Sequence, residues 1–321
     1  MNQLVKALIG GAALAAASTL AAAQAWPSKP IKFIVPYPPG GTSDILARAV
    51  GQKLQEKWGQ PVVVENKPGA TGNIGADFVA KSPPDGYTLL LCDVGALAIT
   101  SSVYTKLPSD PAKDLVGITM LAYSPHLLVV HPSVAANNLK ELVAYSKTGK
   151  LDFAVTAIGS APHLAGVAVE KATGARWVYI PYKGGSQAIG DTVAGQTQVL
   201  MNGMLATLPF VQSGKLKVLG VSKATRVPLL PDVPTIAEQG VAGFESGTWQ
   251  GLLVPAGTPA DVVARLSAEL TRIIRSPEIR SRLTAQGAEV YTMTPAEFTT
   301  FFDKENKRWA AVVASGGVKI D

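Results

Sequence analysis

Short runs of branched and aromatic residues alternate along this chain with longer stretches in which apolar residues recur every three or four positions. Ile31–Val35 has the length and β-branched content of a strand. After Pro36–Gly41, residues Ile45, Leu46, Ala49, Val50 and Leu54 fall at helical spacing, so a helix capped by Thr42 or Ser43 is predicted. Pro61–Glu65 reads as a second strand. Gly69–Gly75 is a glycine-rich loop opening a helix that carries Ile74 and Phe78 four residues apart, Pro83–Gly86 is a turn, and Tyr87–Cys92 is a third strand. This βαβαβ order implies parallel strands with helices on both faces.

The rhythm then repeats. Strands are expected at Pro125–Val130, Leu151–Thr156, Trp177–Pro181, Val199–Met201, Leu216–Val221 and Trp249–Val254. Helices are expected at Leu139–Ser146, Pro162–Ala172 and Ser186–Ala194, and Pro259–Ser315 reads as mostly helical with one strand at Ala288–Tyr291. Two α/β units with no flexible linker between them suggest two lobes joined by crossover strands. Leu115–Val130 and Glu245–Val254 are the candidate crossings. The first lobe would be discontinuous, residues 26–124 plus 250–321, and the second would be residues 125–249.

The amino terminus changes the picture of where this fold works. Lys6 is the only charge in residues 1–25, an alanine-rich apolar run follows, and Ala23-Gln24-Ala25 forms a small-x-small site before Trp26. That order is the pattern of a cleaved signal peptide, 1–25, and implies export to the periplasm. The net charge is +6, but the basic residues are scattered and no basic–aromatic block suggests nucleic acid. A lone cysteine, Cys92, excludes an intramolecular disulfide and reads as a core thiol.

Candidate chemistry concentrates in Pro38-Pro39-Gly40-Gly41-Thr42-Ser43-Asp44. Two prolines fix the loop, two glycines permit close backbone approach, and the loop ends at a helix N-terminus after a strand, where free N–H groups suit an anion. A plain N-cap by Thr42 or Ser43 accounts for the same residues. Gly69–Gly75 lacks the spacing of a dinucleotide loop, and Gly185–Thr192 has Asp191 where a P-loop needs lysine. His126, His131 and His163 sit in no metal-binding spacing. Ser160 and His163 are close in sequence, but helix capping by Ser160 explains them more simply than catalysis.

Several of these segments, with Asn66–Asp77, Pro84–Leu91, Lys106–Leu115, Gly159–His163, Pro181–Gly184 and Phe244–Pro259, resemble the solute receptors of tripartite tricarboxylate transporters, the Bug family. The resemblance covers essentially the whole mature chain. It implies a type II periplasmic binding protein, a two-lobed Venus flytrap that clamps a small carboxylate with loop backbone groups and water. Carried over by position, Tyr37, Gly41, Thr42, Ser43, Asp44 and Gly95 would line one side of the pocket. Gly159, Ser160, His163, Lys183 and Asn202 would line the other. Val94-Gly95-Ala96-Leu97, read as a loop, replaces the small polar residues of many relatives, which makes an aromatic or branched acid as plausible as citrate. No cofactor and no metal are expected. The expected partners are the carboxylate and, transiently, membrane permease subunits, with the receptor itself a monomer. A ligand sensor for a signalling partner and an exported hydrolase using Ser160 and His163 are the alternatives.

Overall fold

A computed structural model describes residues 26–104 and 106–316; the expected signal peptide lies outside them. The first third of the chain folds in the anticipated order: β1 (Ile31–Val35), α1 (Thr42–Trp58), β2 (Val62–Asn66), α2 (Asn73–Ala80) and β3 (Thr88–Asp93). Both β2 and β3 pair with β1 in parallel. Side chains of these strands alternate between two cores, as the two-residue period requires. Phe33, Val35, Leu89 and Leu91 face one cluster, and Ile34, Leu90 and Cys92 face the other. Cys92 is a buried core thiol.

The stretch expected to be a loop after β3 is instead helix α3 (Val94–Val103). Asp93 caps it by accepting the Gly95 N–H at 3.1 Å. The helix was hidden in the sequence because residues 94–100 are all buried, so no polar face marks a helical period.

The second lobe is built from α4 (Leu139–Thr148), β5 (Asp152–Val155), α5 (Ala161–Thr173), β6 (Val178–Pro181), α6 (Gly185–Val193), β7 (Val199–Gly203), α7 (Met204–Gln212) and β8 (Lys217–Val221). Helix α7 was not anticipated: Met204–Leu208 are all buried, so no polar face marks a period, and Pro209 lies inside it. The chain then returns to the first lobe through β9 (Gly247–Pro255), α8 (Ala260–Arg275), α9 (Pro277–Ala285), β10 (Glu289–Val290) and α10 (Pro295–Gly316).

The sixteen-residue strand β4 (Leu115–Val130) joins the lobes. Residues Leu115–Pro125 pair with β9, whereas His126–Val130 pair with β7 and, over Leu127–Val130, with β8. A buried polar knot marks the change of sheet. The His126 N–H donates to Ser222 Oγ at 2.8 Å and to the Ser246 carbonyl at 3.1 Å. Ser246 Oγ lies 2.9 Å from His126 Nδ1. Burial pushes the His126 imidazole down to about 3, which keeps the knot uncharged at neutral pH. Among the described residues, no helix is long and apolar enough to cross a membrane.

Candidate functional site

The strands of both lobes deliver their carboxyl ends to one cavity of about 60 Å³. Four helix N-termini converge there. Gly41, Thr42 and Ser43 open α1; Ala161 and Pro162, with the N-cap Ser160, open α5; Gly185 opens α6; Ala96 lies in the first turn of α3. The N-caps of α1 and α6 are glycines, Gly41 and Gly184, and neither helix has a side-chain cap. Their first N–H groups are therefore left for a ligand, and each helix end carries roughly half a positive charge. Tyr37, Thr71, Asp93, Thr156, Asn202, Thr248 and Gln250 complete the wall, and among the described residues no Lys, Arg or His is part of it. Within the wall itself, the positive partial charges are those of the backbone helix ends.

Buried side-chain bonds fix the polar groups. Ser43 Oγ donates to Gln250 Oε1 at 2.7 Å, and Asn202 Nδ2 donates to Thr207 Oγ1 at 3.1 Å. The buried Thr248 Oγ1 has no partner among the described residues. Because Ser43 and Gln250 are 4% and 1% exposed, Ser43→Ala should leave the Gln250 carbonyl unsatisfied. The expected loss of stability, read by urea unfolding, is roughly 1–3 kcal/mol.

Close backbone approach around the cavity depends on glycine. A Cβ at Gly184 would lie 2.4 Å from Pro38 Cδ, one at Gly185 would lie 2.6 Å from Asn202 Oδ1, and one at Gly203 would lie 2.8 Å from Thr42 Oγ1. The loop before α1 and the start of α6 are thus packed against each other.

Of the residues singled out from sequence, Tyr37, Gly41, Thr42, Ser43, Ser160 and Asn202 line this cavity, and five do not. Asp44 accepts from Gly40 N at 2.9 Å, from Arg48 Nε at 3.0 Å and from Asn66 Nδ2 at 3.0 Å. Burial pushes its carboxyl up, but the bonds from Arg48, Gly40 and Asn66 outweigh that and hold it below the usual range. Asp44 therefore braces the loop with its charge neutralised. Gly95 lines a neighbouring cavity. Gly159, at φ +78°, donates its N–H to His163 Nδ1 at 3.0 Å, and the His163 ring lies edge-on to Tyr179. Burial lowers the His163 pKa. Ser160 Oγ donates to the Ala157 carbonyl at 2.7 Å and accepts the His163 N–H at 3.4 Å. Ser160 and His163 are thus not arranged as nucleophile and base. Lys183 is exposed, and its backbone N–H bonds Gln187 Oε1 at 3.2 Å.

Sequence reading missed Asp93, Thr156, Thr248 and Gln250. The available signal was position: Asp93 and Thr156 stand at the carboxyl ends of strands, where α/β ligand sites form. Gln250 is a polar residue inside an apolar strand.

Residues 46–318 match the model of the tripartite tricarboxylate transporter family receptor. The chain belongs to this family. The receptor is 37% identical over 301 residues to the protein BugT of Bordetella pertussis, an alignment covering 93% of this chain and 92% of BugT. It superposes on Rhodopseudomonas palustris Rpa4515, solved with adipate, with a TM-score of 0.87 at 32% identity, covering 91% of this chain and 98% of that one. R. palustris MatC, solved with bound malate, superposes with a TM-score of 0.85 at 30% identity, covering 90% of this receptor and 100% of MatC. The two-lobed binding-protein fold of this Bug receptor agrees with these structures.

Proposed function

We propose that the mature protein is a periplasmic receptor that closes on a small carboxylate in the interlobe cavity and delivers it to a membrane permease. The observation that carries this reading is the convergence of four helix N-termini, two without side-chain caps, on a cavity lined by no cationic side chain among the described residues. The malate and adipate held by MatC and Rpa4515 support the ligand class. One ligand carboxylate would sit on the N–H groups at Thr42 and Ser43, and the Gly185 end of α6 would meet the ligand from the second lobe. The lobes would divide within the paired strands β4 and β9, at Ser124–Pro125 and Trp249–Gln250, giving residues 26–124 plus 250–321 and residues 125–249 as the two bodies.

Calorimetric titration of the mature chain with malate and with adipate tests this, using loop variants as controls. A Cβ at Gly41 meets nothing closer than 3.9 Å and its φ is −82°, so Gly41→Val should fold normally while filling the anion position. Binding should be lost with an unchanged circular dichroism spectrum. Thr42→Ala should weaken binding by roughly 1.5–3 kcal/mol if its hydroxyl donates to the ligand carboxylate, the worth of one hydrogen bond to a charged acceptor. Wild-type binding by Gly41→Val would remove this loop from the site. Export has its own test: the periplasmic protein should begin at Trp26 by mass spectrometry, and a mature mass that retains residues 1–25 would contradict cleavage.

A further inference from the structure

The cavity assigned to the ligand carboxylate already holds a carboxyl group. Asp93 lines it, is 6% exposed, and ends β3 as the N-cap of α3. Its Oδ1 accepts the backbone N–H groups of Trp249 at 3.0 Å and Gly95 at 3.1 Å. Among the described residues, the titratable groups around it leave it no unpaired counter-charge. Tyr37 precedes α1, Cys92 adjoins Asp93 on β3, and burial pushes both up, so both stay neutral. Tyr123 on β4 is likewise pushed up by burial. Glu305, on α10, adds a further negative charge, and the nearby Arg308 is paired with Glu305 at 3.3 Å. Burial raises the Asp93 carboxyl to about 7, against the opposing N–H bonds of Trp249, Gly95 and Ala96.

An anionic ligand must therefore share a small site with the buried Asp93. Two carboxylates in such a site cannot both stay ionised at modest free energy, and one of them takes a proton. The ligand carboxylate is stabilised by uncapped helix ends, whereas Asp93 already spends two N–H donors on one oxygen. We propose that Asp93 is the proton-linked specificity residue of this receptor, taking up one proton from solvent as the ligand carboxylate enters. The proton goes to Oδ2, Oδ1 remains the acceptor for Trp249 and Gly95, and the new O–H can donate to the ligand. No bond other than that O–H forms or breaks. Neutral Asp93 removes the repulsion that would otherwise exclude a carboxylate from a site lined, among the described residues, by no lysine or arginine. This inference rests on the receptor reading above.

Titration calorimetry of the mature wild-type protein with malate and with adipate, between pH 6 and pH 8.5, tests it. Both probes are fully ionised over most of that range, so their own titration contributes little. At pH 8 the binding enthalpy should differ between phosphate and Tris buffers by close to one proton per ligand. Affinity should be nearly flat below pH 6.5 and fall about tenfold per unit above pH 7.5. Asp93→Asn keeps an acceptor for both N–H groups but cannot titrate. It should abolish the slope and bind about tenfold or more tightly than wild type at pH 8.5. Glu305→Gln should keep the slope, which separates Asp93 from its negative neighbour. Binding by wild type with no proton uptake and no slope would overturn the proposal while leaving the receptor reading intact. Failure of both probes to bind at any pH, in wild type and in Asp93→Asn, would overturn the receptor reading and this inference with it.

Discussion

Replacing Gly184 with valine should lower ligand affinity on the order of 100-fold while leaving each lobe folded. Gly184 is the N-cap of α6, with φ 170°, an extended conformation that any residue adopts, so the effect is steric. A Cβ there would lie 2.4 Å from Pro38 Cδ, in the loop before α1. Pro38 is followed by Pro39, and neither ring can turn aside as a flexible side chain would. The strain is relieved by opening the cleft, because neither core contains Gly184. If the closed state falls to about 1% of the population, apparent affinity falls by that factor. Small-angle scattering should show no ligand-induced decrease in radius for Gly184→Val, in contrast to wild type. Gly190→Ala, on the same helix, has no atom within 4 Å of the added Cβ and should bind as wild type does. Equal affinity for Gly184→Val and wild type would show that contact between Pro38 and α6 has no part in binding.

The second large effect concerns the free protein. Asp93→Asn should stabilise it increasingly as pH rises. The folded-state carboxyl titrates at about 7, above its ordinary 3.8, because of burial. Between those values the folded chain holds a proton that the unfolded chain has released, so wild-type stability falls as pH rises through this window and levels off above it. Asparagine carries no such penalty. At 1.36 kcal/mol per unit, the gap from 3.8 to about 7 corresponds to an advantage on the order of 4 kcal/mol at pH 8. Urea unfolding should show the advantage widening by roughly 2–3 kcal/mol between pH 5 and pH 8. A constant difference between the two proteins would mean that Asp93 titrates normally in the folded state.

Much of the fold was legible because its strands obey simple rules. Ile31–Val35 and Tyr87–Cys92 are apolar but for the exposed Lys32 and for Thr88, as strands largely covered on both faces are, and Pro-Gly turns punctuate them. Helices with one solvent face, such as α1, α4 and α8, reveal themselves by period. Helices α3 and α7 do not, since their first turns are buried on every side, and Pro209 argues locally against α7. The glycine loop before α1 was legible as an anion cradle from Gly40-Gly41 and the strand before it. The other three helix ends were not, because their convergence depends on how β4 and β9 join the two sheets. The same long-range geometry separates Asp44 from Asp93. The first stands in the most conspicuous motif yet is neutralised by Arg48 outside the cavity, whereas the second follows an apolar strand with no motif and lies inside it.

The most direct test is a crystal structure of residues 26–321 grown with malate or adipate, whichever binds more tightly. The expected density places one ligand carboxylate within about 3.2 Å of the backbone nitrogens of Thr42 and Ser43, with the Gly185 end of α6 closing from the opposite lobe. A carboxylate bound anywhere else, or held by a lysine or arginine side chain, would contradict recognition by converging helix N-termini.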